Sequence, residues 1–227
     1  NFNNNDLLCV RPSSESPDWG GPSAIMNIGM NNLRYKELKQ KLGADAASSI
    51  YINFVQAYSL HVARLDPDIF NPVETQDSAA VAKVLEIYES ETEHEFPQDI
   101  ATQLSEILRS MARTWESTTA RLLRQAKGAP LDAGLGLVIQ VMAFGLGEGE
   151  CGTGTLQLID ENDGKPKIKG RYKEQSQLRP EKSSEGALYL TKDNRGWSLE
   201  DNNEEIFRQL VEFASIMRVK LREEMQI

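Results

Sequence analysis

The residues with chemistry to offer are few and widely spaced. Arg11 stands between an apolar run, Leu7-Leu8-Cys9-Val10, and a segment of small and breaking residues that continues to Pro22. A guanidinium there is always charged and can hold two oxygens at once. It suits a phosphate clamp, and it equally suits a surface ion pair. Ser13, Ser14, Gly20 and Gly21 would let backbone N–H groups approach an anion, whereas Glu15 would repel one. Gln140 and Met142 lie in the apolar run 137–144. An apolar surface with a polar edge can read a flat base; plain core packing would also place them there. Residues 145–154 form a glycine-rich loop carrying Thr153. The loop has no Gly-Lys-Ser/Thr ending, and the β-type residues after it argue against a dinucleotide turn.

Other reactive side chains make no constellation. His61 and His94 sit in polar helical surroundings and are expected to face solvent. Cys9 and Cys151 belong to no CxxC pair and read as reduced, partly buried thiols. Glu148 and Glu150 lie beside glycines and read as exposed, so no metal site is expected. No nucleophile and base stand at an interpretable spacing, so no catalytic residue is assigned.

The 227 residues suffice for one generous domain or two small lobes, and the net charge is −9. That charge repels a long polyanion, so nucleic acid is not an expected partner; a single nucleotide needs only a few local cations. No apolar run approaches the roughly 20 residues that span a bilayer, so no membrane is expected. The first residues lack the basic start and apolar core of a secretory signal, and the expected location is cytoplasmic.

The elements that would hold these residues fall into blocks. Leu7 to Val10 reads as a buried strand, 11–22 as a loop and 25–30 as a second strand. Residues 33–64 read as one helix with Ile50, Phe54 and Tyr58 on its face. Further helices are expected over 77–91, 100–115 and 119–126. Then 137–144 and 155–159 read as strands, 161–164 as a hairpin turn, and 165–172 as the returning strand. Residues 186–190 and 196–199 read as a second small hairpin. A last helix is expected over 202–225, with Ile206, Leu210, Phe213, Met217 and Leu221 on one face. Segregated elements of this kind predict an α+β fold. The blocks are 1–32 strand–loop–strand, 33–130 helical, 136–200 β-rich and 202–227 helical.

Three stretches resemble the nucleotide-binding domain of the pyruvate phosphate dikinase and phosphoenolpyruvate synthase family. Asn5 to Arg11 with Ile25 to Asn31 is similar to the family's "PLLVSVRSGA…DTILNLGLN". Phe96-Pro97-Gln98-Asp99 with Gln103-Leu104 is similar to "FPQDPWEQL". Val138 to Gly145 with Cys151 to Thr155 is similar to "VNVQAMVFGN…SGTGV". The closing helix resembles the family's last one before its "DIEW" strand.

The resemblance implies a single ATP-grasp-like domain over 1–227 that holds ATP and Mg2+ and passes a phosphoryl group to a histidine-carrying domain. It implies ATP contacts at Arg11, Gln140, Met142 and Thr153. Departures accompany it. The family's "GGKGANL" lysine would precede Asn1 and the "DIEW" carboxylates would follow Ile227, so the chain is expected to lack both ends of the domain. The second arginine of "VRSGAR" falls on Glu15. Asp18 to Ser23 replace "MPGMMD", Leu156 to Asp160 replace "FTRDP", and the "GEF" glutamate falls on Arg171. Two readings follow: a phosphotransferase ATP-binding domain with little activity alone, or a non-catalytic nucleotide-binding or protein-interaction module of the same fold. Whether the chain is an enzyme stays open, and Mg2+ rests on the resemblance alone.

Overall fold

A computed structural model describes residues 6–73, 77–146, 149–160, 163–176, 186–193 and 195–221. It has helices and antiparallel sheets, the α+β class that the block order predicts. The chain divides into two compact units, Asn1–Ala143 and Phe144–Ile227.

The first unit has a three-stranded antiparallel sheet in the order β2-β1-β3, built from β1 (Leu8–Ser13), β2 (Ile25–Ile28) and β3 (Gly136–Val141). β1 runs three residues past the expected strand end. It continues because Arg11, Pro12 and Ser13 pair with Val138, Leu137 and Gly136. β2 pairs with β1 only as far as Val10, so Pro12 lies where no second ladder needs its missing N–H. Leu8, Val10, Ile25 and Ile28 are all buried, and β2 packs on helices α2 (Ala44–Tyr58) and α4 (Ile100–Glu116).

The helix expected over 33–64 is two helices. α1 (Asn32–Leu42) ends at Gly43, whose φ of 88° lies outside helical space, and α2 starts afresh after it. α2 passes into a π-helical turn at Ser59–Ala63, where the Ser59 hydroxyl donates to the Val55 carbonyl. α3 (Ser78–Thr92) starts at Asp77, whose carboxylate accepts from the N–H of Ala79 and Ala80. α5 (Thr118–Ala126) follows α4 after Ser117. Phe96, in the loop between α3 and α4, touches the rings of Tyr51, Phe54, Tyr58 and Tyr88.

The second unit holds β4 (Gly152–Ile159), β5 (Pro166–Glu174) and β6 (Leu188–Tyr189), antiparallel and in that order. Leu156, Leu158 and Leu190 pack against Leu199 of α6 (Leu199–Asn202) and Ala214 of α7 (Glu204–Leu221). The expected hairpin of 186–190 with 196–199 does not form. Tyr189 instead pairs with Arg171 of β5, and its alignment with Ser198 is a parallel bridge. Ser198 is a helix cap: its hydroxyl accepts from the Asp201 N–H and donates to the Asp201 carboxylate, which turns 199–202 into helix. The last helix is therefore divided at Asn203. On α7, Ala214 takes the core place expected of Phe213, which is exposed. Glu161, Asn162, Asn194 and the expected helix end at 222–225 lie outside the described residues.

Candidate functional site

The register of β1 on β3 decides where the expected site residues go. Cys9 stands opposite Gln140 and Arg11 opposite Val138. Residues directly opposite in an antiparallel pair share a face, and so do residues two apart on one strand. Arg11, Cys9, Val138 and Gln140 therefore lie on one face of the sheet. Arg11 and Gln140 are diagonal neighbours at about 7 Å, within reach of long side chains. Both are exposed, and neither makes a side-chain hydrogen bond or ion pair among the described residues. Cys9 between them is buried. Burial raises its thiol pKa, while the Arg11 charge and a backbone hydrogen bond from Gln140 pull it down. Met142 lies just beyond β3, half-buried, and its N–H donates to the Leu7 carbonyl at 2.8 Å.

The segment after β1 is less available than its composition implies. The Ser14 hydroxyl donates to the Ser16 carbonyl, and the Asp18 N–H donates to the Ser16 hydroxyl. Gly21 faces Trp115, where a Cβ would sit 3.5 Å from the ring. The loop is folded upon itself and upon α4. Glu15 is exposed.

Thr153 belongs to the second unit, on β4, where its hydroxyl donates to the Ser176 carbonyl. Gly145 is buried against the same two groups: a Cβ on it would come within 2.4 Å of the Thr153 hydroxyl oxygen. This part of the glycine-rich loop is a close backbone approach, which only glycine permits. Glu148 lies outside the described residues. Glu150 accepts a hydrogen bond from the Asn203 amide.

His61 differs from its expected solvent-facing place. It lies half-buried in the π-helical turn, and burial pushes its pKa down. It lines a small cavity with Gly21, Ser23 and Met111. His94 is exposed, as expected, with its ring beside the Thr92 carbonyl at 2.7 Å. A larger cavity of about 300 Å³ lies between Tyr58, Tyr88, Glu106, Arg109 and Arg113. Tyr58 donates to the Glu106 carboxylate there, and burial followed by that carboxylate drives the Tyr58 pKa far upward. Neither cavity includes Arg11 or Gln140.

A buried clamp is absent from the expected site, although its residues stand in the motif stretches. The Gln103 side chain, wholly buried, accepts from the Gly29 N–H at 2.8 Å. It donates to the Met30 carbonyl at 3.0 Å and the Pro97 carbonyl at 2.7 Å. Gln98 accepts from the Asn32 N–H at 2.8 Å and donates to the Tyr51 hydroxyl and the Phe96 carbonyl. Asp99 caps α4 through the Thr102 N–H. The first and second motif stretches are thus bolted together, and the first and third pair as β1 and β3. The one legible signal was polar residues recurring inside motifs that offered no reaction for them.

Among the described residues no three carboxylate, histidine or cysteine side chains gather where they could hold a metal ion. The Arg11 guanidinium and the Gln140 amide are both exposed on their shared face. No helix among the described residues is long and apolar enough to cross a membrane.

An α+β chain whose first sheet carries Arg11 and Gln140 on one face, with a buried glutamine joining two of the motif stretches, is the class these observations define. Its distant relatives are pyruvate, phosphate dikinases. The chain is 26% identical over 185 residues to pyruvate, phosphate dikinase of Clostridium symbiosum, covering 73% of this chain and 21% of that one. It is 25% identical over 183 residues to the chloroplastic enzyme of Flaveria trinervia, covering 73% and 19%. The chain spans about a fifth of the length of these curated relatives. No family model matches.

Proposed function

We propose that this chain is an ATP-grasp-like nucleotide-binding domain of a dikinase-type phosphotransferase, with both compact units contributing to that one domain. The observation that carries this reading is the shared face of Arg11 and Gln140 on neighbouring strands. Arg11 meets a phosphate through two of its N–H groups. Gln140 offers an amide to the edge of the base, and Met142 gives an apolar wall. The Thr153 hydroxyl, in the second unit, is already spent on the Ser176 carbonyl. ATP is the nucleotide that the dikinase similarity favours. The acceptor is a histidine on another domain. Mg2+, where ATP brings it, neutralises phosphate charge.

The second reading is a nucleotide-binding module without catalysis. The repulsion from Glu15 favours low phosphoryl transfer by this chain alone. Calorimetric titration with ATP and ADP, with and without Mg2+, tests both. Binding that weakens about tenfold in Arg11→Ala supports the nucleotide site, that being the worth of a charge-assisted contact. No heat at millimolar ligand rejects it. Robust ATP turnover by the purified chain rejects the low-activity reading.

A further inference from the structure

α4 carries Glu106, Arg109, Ser110 and Arg113 at the i, i+3, i+4 and i+7 places of one stripe, and all four line the cavity of about 300 Å³ in the helical block. The π-helical turn and the side chains of Tyr58 and Tyr88 close its other sides. Both tyrosines are buried and braced by the Phe96 ring, so that wall is fixed. The Ser110 hydroxyl donates to the His61 carbonyl, which ties α4 to the π-helical turn. Such turns inside helices occur frequently at functional sites. The volume stands at the small end of the range for ligand sites, about 300–1,000 Å³, so it suits a small metabolite.

The charges on this stripe are left open. A Glu and an Arg three apart on a helix commonly pair, and two Arg four apart repel each other. Here Glu106 turns one oxygen to the Tyr58 hydroxyl and pairs with neither arginine. Among the described residues neither Arg109 nor Arg113 makes a side-chain hydrogen bond or ion pair, and both are exposed. Glu106 keeps its second oxygen, and a carboxylate can accept several hydrogen bonds. Two cations, about 5–6 Å apart at their Cβ atoms, and one carboxylate a turn away thus border one small space. A ligand that is only an anion would press against Glu106. One that is only a cation would press against the arginines.

We propose that this cavity binds an acidic α-amino acid, a small molecule with two carboxylates and one ammonium. Arg109 and Arg113 take one carboxylate each, because the guanidinium fork matches the two oxygens of a carboxylate. The ammonium donates to the second oxygen of Glu106, which the Tyr58 hydroxyl holds in place through the first. The ligand's charges then mirror those of the stripe one for one. A dicarboxylate without the ammonium leaves Glu106 repelled, and a neutral amino acid leaves one arginine unmatched. Neither Arg11 nor Gln140 lines the cavity, so the inference does not rest on the nucleotide reading.

The test is calorimetric titration of the whole chain with L-glutamate at about 50 mM salt, where screening is modest. Glutarate, which has both carboxylates and no ammonium, and L-alanine, which has one carboxylate, are titrated beside it. Both are expected to bind about tenfold more weakly than L-glutamate. Arg109→Gln and Arg113→Gln should each weaken L-glutamate about tenfold, and Lys41→Gln, on α1 and outside the cavity, should leave it unchanged. Glu106→Gln can still accept from the Tyr58 hydroxyl but has no charge for an ammonium. In that variant the preference for L-glutamate over glutarate should vanish. Circular dichroism melts show whether each variant is folded. The two exposed arginine variants carry the test if Glu106→Gln unfolds. Four results overturn the proposal: no heat at millimolar L-glutamate, equal affinity for glutarate in the unaltered chain, binding indifferent to both arginine variants, or a preference for L-glutamate that survives in folded Glu106→Gln.

Discussion

Replacing Gln103 by Met keeps the length of the side chain and removes all its hydrogen bonds. Three are lost: one from the Gly29 N–H, one to the Met30 carbonyl and one to the Pro97 carbonyl. The first two are buried, so their backbone partners are stranded; the third is partly buried and water can replace it in part. A stranded buried group costs about 1–3 kcal/mol, which puts the total near 3–5 kcal/mol. Domains are stable by only about 5–15 kcal/mol, so the variant should be close to unfolding at room temperature. Urea unfolding followed by circular dichroism measures this, with an unchanged slope showing that the native surface is the same. Gln103→Glu can still accept from Gly29 but puts a carboxylate against two carbonyls, and should be no better at neutral pH. A loss below about 1 kcal/mol in Gln103→Met would refute the argument, because it would mean the backbone groups find other partners.

Three more outcomes follow from the geometry. Gly29→Ala should cost about 1–3 kcal/mol in the same urea assay, chiefly from its φ of 97°; the Ile100 side-chain end, 2.9 Å from the added Cβ, can move aside. Burial depresses the His61 pKa below 6.5, so the unfolded chain binds more protons than the folded one as pH drops. Stability should therefore fall as pH drops through about 6.5 and level off below the folded pKa, and His61→Gln should remove that part of the slope in urea midpoints. A thiol reagent should label Cys151 before Cys9 in the native protein, since Cys9 is 4% exposed and its pKa is raised by burial. Mass spectrometry of partly labelled protein reads the order.

Much of the element map was legible because it is local. The stripe of Ile107, Met111 and Trp115 announces α4, and the helix expected from Asp77 is α3, which Asp77 caps. The apolar run 137–144 and the residues 155–159 announce β3 and β4 as strands. What failed was decided by single residues or by partners far along the chain. Gly43 divides the first long helix. Ser198, read as the end of a hairpin, is a cap because Asp201 stands three residues on. β1 outlasts its apolar run because β3, some 130 residues later, supplies the ladder. The candidate site was legible in its members and not in their grouping: the register that unites Arg11 with Gln140 comes only from pairing, and that same division of the chain puts Thr153 in the other unit.

Phe96 is a loop residue that behaves as the keystone of the helical block. Its ring lies 5.2 Å from those of both Tyr58 and Tyr88, and 5.6 Å from that of Phe54. Side chains from α2 and α3 thus lean on one ring that neither helix owns. Neither can loosen without disturbing contacts of the other, so their slowest amide protons should exchange with solvent through one shared opening and at one free energy.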